Sequence, residues 1–389
     1  MKILYIDWQM FGKEDIIKAL RHMGHEVDQT DLPLQPEMQG EILKDALKAC
    51  LTAGKYNAVF TSNFYPIVSM VCEQLSVKYI SWIYDSPLIG LYNPAIMNTC
   101  NYVFTFDRDE CNNLRSKGVQ NIYYMPLGVA VDRISNLSIN SKDREIFSAE
   151  VGMVASLYNE KHNLYDRMEP RLSEYTRGYL EAVMQAQKNL FGGFILEEVL
   201  YNERIMQDML RAMPYELDKG SLANVEYVYA NYFLSRKVAT MQRTEFIDAI
   251  SKEHIMKVYS PGDLSMIPTA IHMGTVDYNT DMNKVFRLSK INLNITLPSI
   301  HTGIPLRAMD IMGAGGFLLT NYQADFMESF VPNEDFVYFT SMDEALALID
   351  YYLEHEEERQ RIAENGRRKV AEQHSYLVHL KEIFSIVEG

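Results

Sequence analysis

The sequence predicts an α/β protein built from two doubly wound units, and three observations carry that prediction. Strand-length apolar runs alternate with helical periodicity up to about residue 130. A fresh strand pattern begins near residue 148, after a polar stretch, and strand signals resume from about residue 256. The chain has 389 residues, 47% hydrophobic and 23% charged, which is globular composition with length enough for two cores.

In the first unit, six runs read as strands: Lys2–Asp7 (KILYID), Glu26–Leu32, Ala58–Asn63, Lys78–Asp85 (KYISWIYD), Tyr102–Asp107 and Ile122–Leu127. Several are apolar throughout, as parallel strands covered on both faces must be. Helical patterns at Glu14–Met23, Gly40–Ala53, Ile67–Leu75 and Asp109–Lys117 lie between them. Gly24, Gly54 and Gly118 fall where a helix end favours glycine. Such βαβ alternation implies ligands at the carboxyl ends of the strands. The first strand runs into Asp7-Trp8-Gln9-Met10-Phe11-Gly12 rather than GxGxxG, so a dinucleotide fingerprint is missing. The fourth ends in Tyr84-Asp85-Ser86-Pro87, where Asp85 reads equally as the start of a turn and as a functional carboxylate. Asp107-Arg108-Asp109 has the letters of a metal-binding DxD but opens a helix, with Asp109 expected as its N-cap.

Residues 132–147 are polar and read as a linker, and Ala149–Ser156 opens the second unit. Roughly 163–254 has helical spacing and almost no strand signal, with patterns at Leu172–Phe191, Leu196–Met213 and Tyr227–His254. This predicts a helical insertion between the unit's first and second strands. Strands then follow at Met256–Tyr259, Ile271–Met273, Ile291–Ile295, Gly316–Thr320 and Phe336–Tyr338. Helices are expected at Asp281–Leu288, Pro305–Met312, near Asp325–Phe330 and at Met342–Leu353. Glu356–Glu388 reads as two charged helices divided near Gly366 and His374. Two α/β units joined by a linker describe two facing sheets with a cleft between them.

Charge and cysteine content exclude several classes of function. With 37 basic and 52 acidic residues, the net charge of −15 argues against broad binding to nucleic acid or anionic membranes. Cys50, Cys72, Cys100 and Cys111 form no CxxC and no zinc-like spacing with histidine, so reduced thiols in a cytoplasmic protein are expected. The opening strand pattern is not that of a signal peptide, and no apolar run approaches membrane-spanning length.

The most informative segment is Asn292–Thr320, NLNITLPSIHTGIPLRAMDIMGAGGFLLT. A strand leads through Pro298-Ser299-Ile300-His301-Thr302-Gly303-Ile304 into a helix expected to start at Pro305. Backbone amides at such a turn, backed by the helix dipole, make an anion site without net positive charge. Arg307 can reach the same anion, and Asp310, three residues on, can accept from ribose-type hydroxyls. The plain alternative is a βαβ crossover with an Arg–Asp pair at i, i+3.

The block Val276–Thr320, and TGIPLRAMDIMGAGGFLLTN above all, resembles GT-B glycosyltransferases, most closely the CgeB-like (spore maturation protein) branch with a DUF3880-like N-terminal region. The motif is similar to the donor-binding helix of family-4-like transferases, in which two glutamates are separated by seven residues. Asp310 takes the second acidic position, which the resemblance assigns to the donor ribose. The first falls at Thr302, so the signature is incomplete. Gly274–Thr296 resembles the stretch that holds the base, placing Val276 and Tyr278 near it, and Ile362–Tyr376 resembles the closing helices. YIDWQM and YISWIYDSP resemble the N-terminal domain, with Asp85 where related enzymes carry a polar active-site residue. The resemblance implies an acceptor-side domain over 1–135, a donor domain over 148–374 that includes the insertion, and a last helix at about 375–389 crossing back to the first domain.

The reaction so implied moves a sugar from a nucleotide-sugar, a UDP-sugar by expectation, to an unidentified acceptor. Amides at Thr302–Ile304 and the Arg307 guanidinium would stabilise the diphosphate leaving group. Lys161 can add a cation, or serve only as a solvated loop lysine. His301 contacts donor or acceptor, or caps its loop, and Ser299 lies in the same donor loop. No DxD ends a strand, so no metal cofactor is expected, and the resemblance favours retention of configuration. Two alternatives are an epimerase acting on sugar nucleotides and a non-catalytic binder with a degenerate site. The helical insertion is expected to shape acceptor entry or an oligomer contact.

Overall fold

In the computed structural model, which describes residues 1–6, 10–30, 40–161 and 163–389, the chain forms two units, each with its own parallel six-stranded sheet. Unit 1 comprises Met1–Ala130, Asp218–Ala223 and Gln373–Gly389, and unit 2 comprises Val131–Leu217 and Asn224–Glu372. The expected features at Asp7–Gln9 and Asp31–Leu32 lie outside the described residues.

Unit 1 runs β1 (Lys2–Ile6), α1 (Lys13–His22), β2 (Glu26–Thr30), α2 (Glu41–Gly54), β3 (Ala58–Ser62), α3 (Pro66–Leu75), β4 (Lys78–Trp82), β5 (Asn101–Thr105), α4 (Arg108–Ser116) and β6 (Ile122–Tyr124). The sheet order is β2-β1-β3-β4-β5-β6. Every residue of β3 is buried, because helices cover both faces of a parallel sheet. Gly24 (φ 87°) and Gly118 (φ 96°) follow α1 and α4 in the left-handed region. Gly54 does not act this way. It is the last residue of α2, and Lys55 takes the left-handed turn at φ 51°. Asp107, rather than Asp109, caps α4, accepting from the amides of Asp109 and Glu110.

Unit 2 begins where a linker was expected. Residues 132–147 instead hold two short helices, α5 (Val131–Ser135) and α6 (Ser141–Phe147). A reciprocal capping box between Asn140 and Asp143 starts α6, a local signal hidden by the segment's polarity. Then come β7 (Ala149–Val154), α7 (Leu164–Met168), α8 (Glu174–Lys188), α9 (Glu203–Ala212), α10 (Val225–Val228) and α11 (Ser235–Glu253). A π-helical stretch, Tyr229–Leu234, joins α10 to α11. The rest is β8 (Met256–Tyr259), β9 (Ile271–His272), α12 (Met282–Leu288), β10 (Ser289–Asn294), α13 (Leu306–Gly313), β11 (Leu318–Asn321), α14 (Phe326–Ser329), β12 (Val337–Phe339), α15 (Met342–Glu354) and α16 (Glu356–Gln373). The order β12-β11-β10-β7-β8-β9 places β7 against β10, where the connections diverge to opposite sides. That is the topological switch point of an open α/β sheet. The core beneath it joins Val151, Leu293 and Leu319 to Phe246 and Ile250 of α11 and Ile349 of α15. Each such side chain contributes roughly 1.5–3 kcal/mol on burial.

The stretch Asp218–Ala223 leaves the insertion and belongs to unit 1, where the Leu222 amide donates to the Tyr92 carbonyl at 2.8 Å. The last helix, α17 (Tyr376–Glu388), also belongs to unit 1. The Val129 amide donates to the His374 carbonyl (2.9 Å) and the Tyr376 amide to the Val129 carbonyl (3.2 Å), which fixes the start of α17. Its buried face of Leu380, Ile383, Phe384 and Val387 makes it apolar rather than charged. α16 runs through Gly366 without a break. Glycine is needed there for space, since a Cβ would sit 2.4 Å from the Asp335 carbonyl oxygen, which belongs to backbone and cannot rotate away. Gly366→Ala should therefore lower unfolding free energy by about 1–3 kcal/mol in urea denaturation, although alanine is the better helix former.

Candidate functional site

The carboxyl ends of β7, β10 and β11 carry the polar groups of unit 2. Beyond β10, the loop from Ile295 to Pro305 is pinned from two directions. The end of β11 provides Asn321, whose Oδ1 accepts from the Thr296 amide at 2.7 Å. Gln323 Nε2 donates to the Ile300 carbonyl (2.9 Å) and the Gly303 carbonyl (3.3 Å). The Asp325 amide donates to the Thr302 carbonyl at 3.0 Å. From the insertion side, Ser235 Oγ at the start of α11 accepts from the Ser299 amide at 2.9 Å. Three loop carbonyls are thus engaged on the β11 side, and the loop reaches α13 in a fixed conformation.

α13 starts one residue later than the sequence suggested. Pro305 is its N-cap, extended at φ −68° and ψ 146°, and no side chain caps the helix. Proline still suits the position, because it fixes φ and lacks an amide that would need a partner. Arg307 and Asp310 lie one turn apart on one face. Asp310 is 2% exposed, and the Tyr278 hydroxyl donates to its Oδ1 at 3.2 Å. Arg307 Nη1 is 3.9 Å from Oδ2, which accepts no hydrogen bond. Arg307 also donates to the Met282 sulfur and lies over the Phe286 ring, 5.7 Å from its centroid. Arg133 of α5 covers the Tyr278 ring at 5.4 Å and donates to the Asn279 carbonyl at 3.2 Å. Burial pushes the Asp310 carboxyl up to about 6, against the pull of Arg307, the Tyr278 hydroxyl and Arg133.

A further cation comes from the insertion. Arg243 of α11 is 6% exposed and donates to the Ser156 carbonyl beyond β7 and, at 2.6 Å, to the Ile295 carbonyl beyond β10. Burial lowers its guanidinium pKa, and the nearby Arg307 lowers it further.

Arg307, Asp310 and Tyr278 are therefore brought together. Val276 is half-buried on the same segment as Tyr278, between β9 and α12. Ser299 is buried, Thr302 half-buried, and Gly303 and Ile304 buried in the loop. His301 is half-buried, its ring 4.4 Å from that of Phe194, and it lines a small cavity with Gln187, Gln242 and Asn321. Lys161 is exposed in the turn after β7. Sequence reasoning missed Arg133, Ser235 and Arg243, which reach the site from helices distant in the chain. Only the start of α6, with its Asn140–Asp143 capping signal, warned that the supposed linker was structured.

In unit 1, Asp85 is exposed beyond β4 and is held by Asn63. Asn63 takes φ 71°, and its Oδ1 accepts from the amides of Tyr84 (2.8 Å) and Asp85 (3.0 Å). Its Nδ2 donates to Asp85 Oδ2 at 2.7 Å, so the turn and the carboxylate are fixed by one side chain. Among the described residues, no group of three or more His, Cys, Asp or Glu side chains is arranged to hold a metal ion. No helix among them is long and apolar enough to cross a membrane.

Residues 242–385 match a family model described as glycosyl transferase-like, a span that holds Arg243, Tyr278, the β10–α13 loop, Arg307 and Asp310. Among solved structures, the chain is similar to sucrose-phosphate synthase from Thermosynechococcus elongatus, with 11% identity, 100% of this chain and 99% of that chain covered, and a TM-score of 0.57. It is similar to Anabaena HepE in complex with UDP-glucose, at 10% identity, 100% and 99% coverage and a TM-score of 0.55. It is also similar to UDP-GlcNAc 2-epimerase from Neisseria meningitidis bound to UDP-GlcNAc, at 9% identity, 100% coverage of both chains and a TM-score of 0.53. At such identities the likeness is one of fold, and the two parallel six-stranded sheets with their helices are the GT-B architecture. No curated protein sequence matches the chain.

The buried Asp310 has a consequence for stability. The native state keeps the proton up to about pH 6, while an unfolded carboxyl releases it near 3.8. The folded protein thus binds more protons between these values, and this group's contribution to stability falls as pH rises through that window. Asp310→Asn should raise unfolding free energy at pH 7, by at most about 3 kcal/mol, and flatten the decline between pH 4 and 6 in denaturant titrations. An unchanged pH profile would show that Asp310 is not held protonated.

Proposed function

We propose that the protein is a nucleotide-sugar-dependent glycosyltransferase, with a UDP-sugar as donor. The observation that carries the reading is the α13 site: a buried carboxylate, a phenol and a guanidinium, inside the segment that matches the glycosyl transferase-like model. Asp310, once ionised, accepts from the vicinal hydroxyls of the donor ribose, and those hydrogen bonds offset the penalty of its burial. Val276 and Tyr278 flank the base. Arg307 and the amides of the Thr302–Ile304 turn take the diphosphate, whose charge grows as the glycosidic bond breaks. His301 and Ser299 are assigned to the sugar side of the same loop, and Lys161 to an outer contact with the phosphates. In unit 1, Asp85, fixed by Asn63, is assigned to the acceptor hydroxyl.

With fixed cations and amides to neutralise the leaving group, the reaction we propose needs no metal ion, and the family resemblance favours retention of anomeric configuration. The motifs TGIPLRAMDIMGAGGFLLTN and YISWIYDSP support the narrower likeness to the CgeB-like branch. HepE and the Neisseria epimerase, which share the fold, were solved with UDP-sugars, and this favours a uracil base here. The helical insertion is assigned to acceptor entry or to contact with a second copy.

Incubation with UDP-glucose and UDP-GlcNAc tests the class of reaction. Release of UDP supports transfer or its hydrolytic side reaction. Interconversion of the sugars would replace this reading with epimerisation, and binding without turnover would reduce the protein to a binder. Within the site, Arg307→Ala should weaken UDP affinity about tenfold in calorimetry and leave uridine affinity unchanged, as expected for loss of a charge-assisted contact to phosphate. Equal loss for both ligands would remove Arg307 from the phosphate site.

A further inference from the structure

Arg243 is a buried cation with no acidic partner among the described residues. Its side chain comes from α11, the last helix of the insertion, and only 6% of the residue is exposed. One guanidinium nitrogen donates to the Ser156 carbonyl, the other terminal nitrogen donates to the Ile295 carbonyl at 2.6 Å, and Nε has no hydrogen-bond partner among the described residues. The Tyr158 ring lies 5.1 Å away. Among the described residues, the titratable groups that act on Arg243 are the Tyr158 phenol and the Arg307 guanidinium, and no carboxylate is among them. A buried guanidinium normally has a carboxylate beside it, because an uncompensated charge in a low dielectric is costly.

The two carbonyls give the arrangement its meaning. Ile295 follows β10 directly and Ser156 lies just beyond β7, and these are the adjacent strands at the switch point of the sheet. Backbone carbonyl oxygens carry negative partial charge, and left unpaired at the strand ends they would repel an anion brought close to them. A neutral amide could tie down the same oxygens. A guanidinium does so while adding a positive charge, and that addition is useful only when negative charge arrives nearby.

We propose that Arg243 is a positioning residue for the diphosphate of the donor. It masks the strand-end carbonyls of Ser156 and Ile295 and leaves a fixed positive charge behind the crevice that Arg307 faces. The proposal rests on the nucleotide-sugar reading, and it makes the helical insertion part of the donor site. Ser235, on the same helix, holds the Ser299 amide, so α11 fixes the β10–α13 loop at two points.

The test compares UDP with uridine in calorimetry on the full chain, for the wild type and for Arg243→Gln, with thermal melting as the control for folding. If wild-type protein binds neither ligand, the nucleotide-sugar reading fails, and this proposal with it. If it binds UDP more tightly than uridine, Arg243→Gln should lower that preference about tenfold and leave uridine affinity within about twofold. A preference unchanged in Arg243→Gln overturns the role of Arg243 while leaving the reading of the site intact. Equal loss for both ligands also overturns it, since a brace that only holds the fold would act on both. Should Arg243→Gln not fold, Arg243→Lys serves in its place. Lysine keeps the charge but lacks the planar fork whose two terminal nitrogens reach the two carbonyls, so the preference should fall at least threefold, and a wild-type value would overturn the proposal.

Discussion

Burial of one carboxyl group, that of Asp310, is the constraint around which the second unit is organised. It sits on a helix that begins where the β10 loop ends, and this puts it at the carboxyl edge of the sheet by topology alone. In that position it has one hydroxyl donor and one guanidinium at 3.9 Å, too few to satisfy a carboxylate's acceptor capacity. The result is a group held near the boundary between its neutral and charged forms at about pH 6. A site of this kind lowers the stability of the empty protein, and it is retained where a ligand supplies the missing donors.

The electrostatics of the chain resolve into a general field and a local one. The net charge of −15 opposes polyanions over the surface as a whole. At the ends of β7 and β10, Arg133, Arg243 and Arg307 converge from three different helices; Asp310 acts on Arg133 and Arg307, whereas no carboxylate among the described residues acts on Arg243. Over distances shorter than the screening length, of order 8–10 Å in physiological salt, the local cations outweigh the distant acidic surface. Helix-start amides add to them at no cost in net charge. Such a local field suits a single compact anion better than a long polyanion.

The alternation of apolar runs and helical spacing made both sheets legible, because parallel strands buried on both faces leave continuous apolar segments. So did the α13 segment, whose Pro, Arg and Asp are close in sequence and meet in space through one helical turn. What stayed hidden depended on contacts between distant segments. Gly366 looked like a break in α16 because its role, close approach to the Asp335 carbonyl, involves another part of the chain. Arg243 carries no local signal on its long helix, and only the fold of the insertion brings it to two strand ends. The polar stretch 132–147 was read as linker because composition outweighed a capping signal of two residues, Asn140 and Asp143. Local rules carried the elements; the site needed the tertiary structure.

The most direct measurement is the proton balance of donor binding. UDP-glucose has no phosphate group that titrates near neutrality, so calorimetry at pH 6 in buffers of different ionisation enthalpy counts protons exchanged by the protein. If Asp310 ionises to receive the ribose hydroxyls, binding should release about half a proton, and the release should vanish in Asp310→Asn. Binding with no Asp310-dependent proton release, or tighter binding by the asparagine variant, would contradict the account.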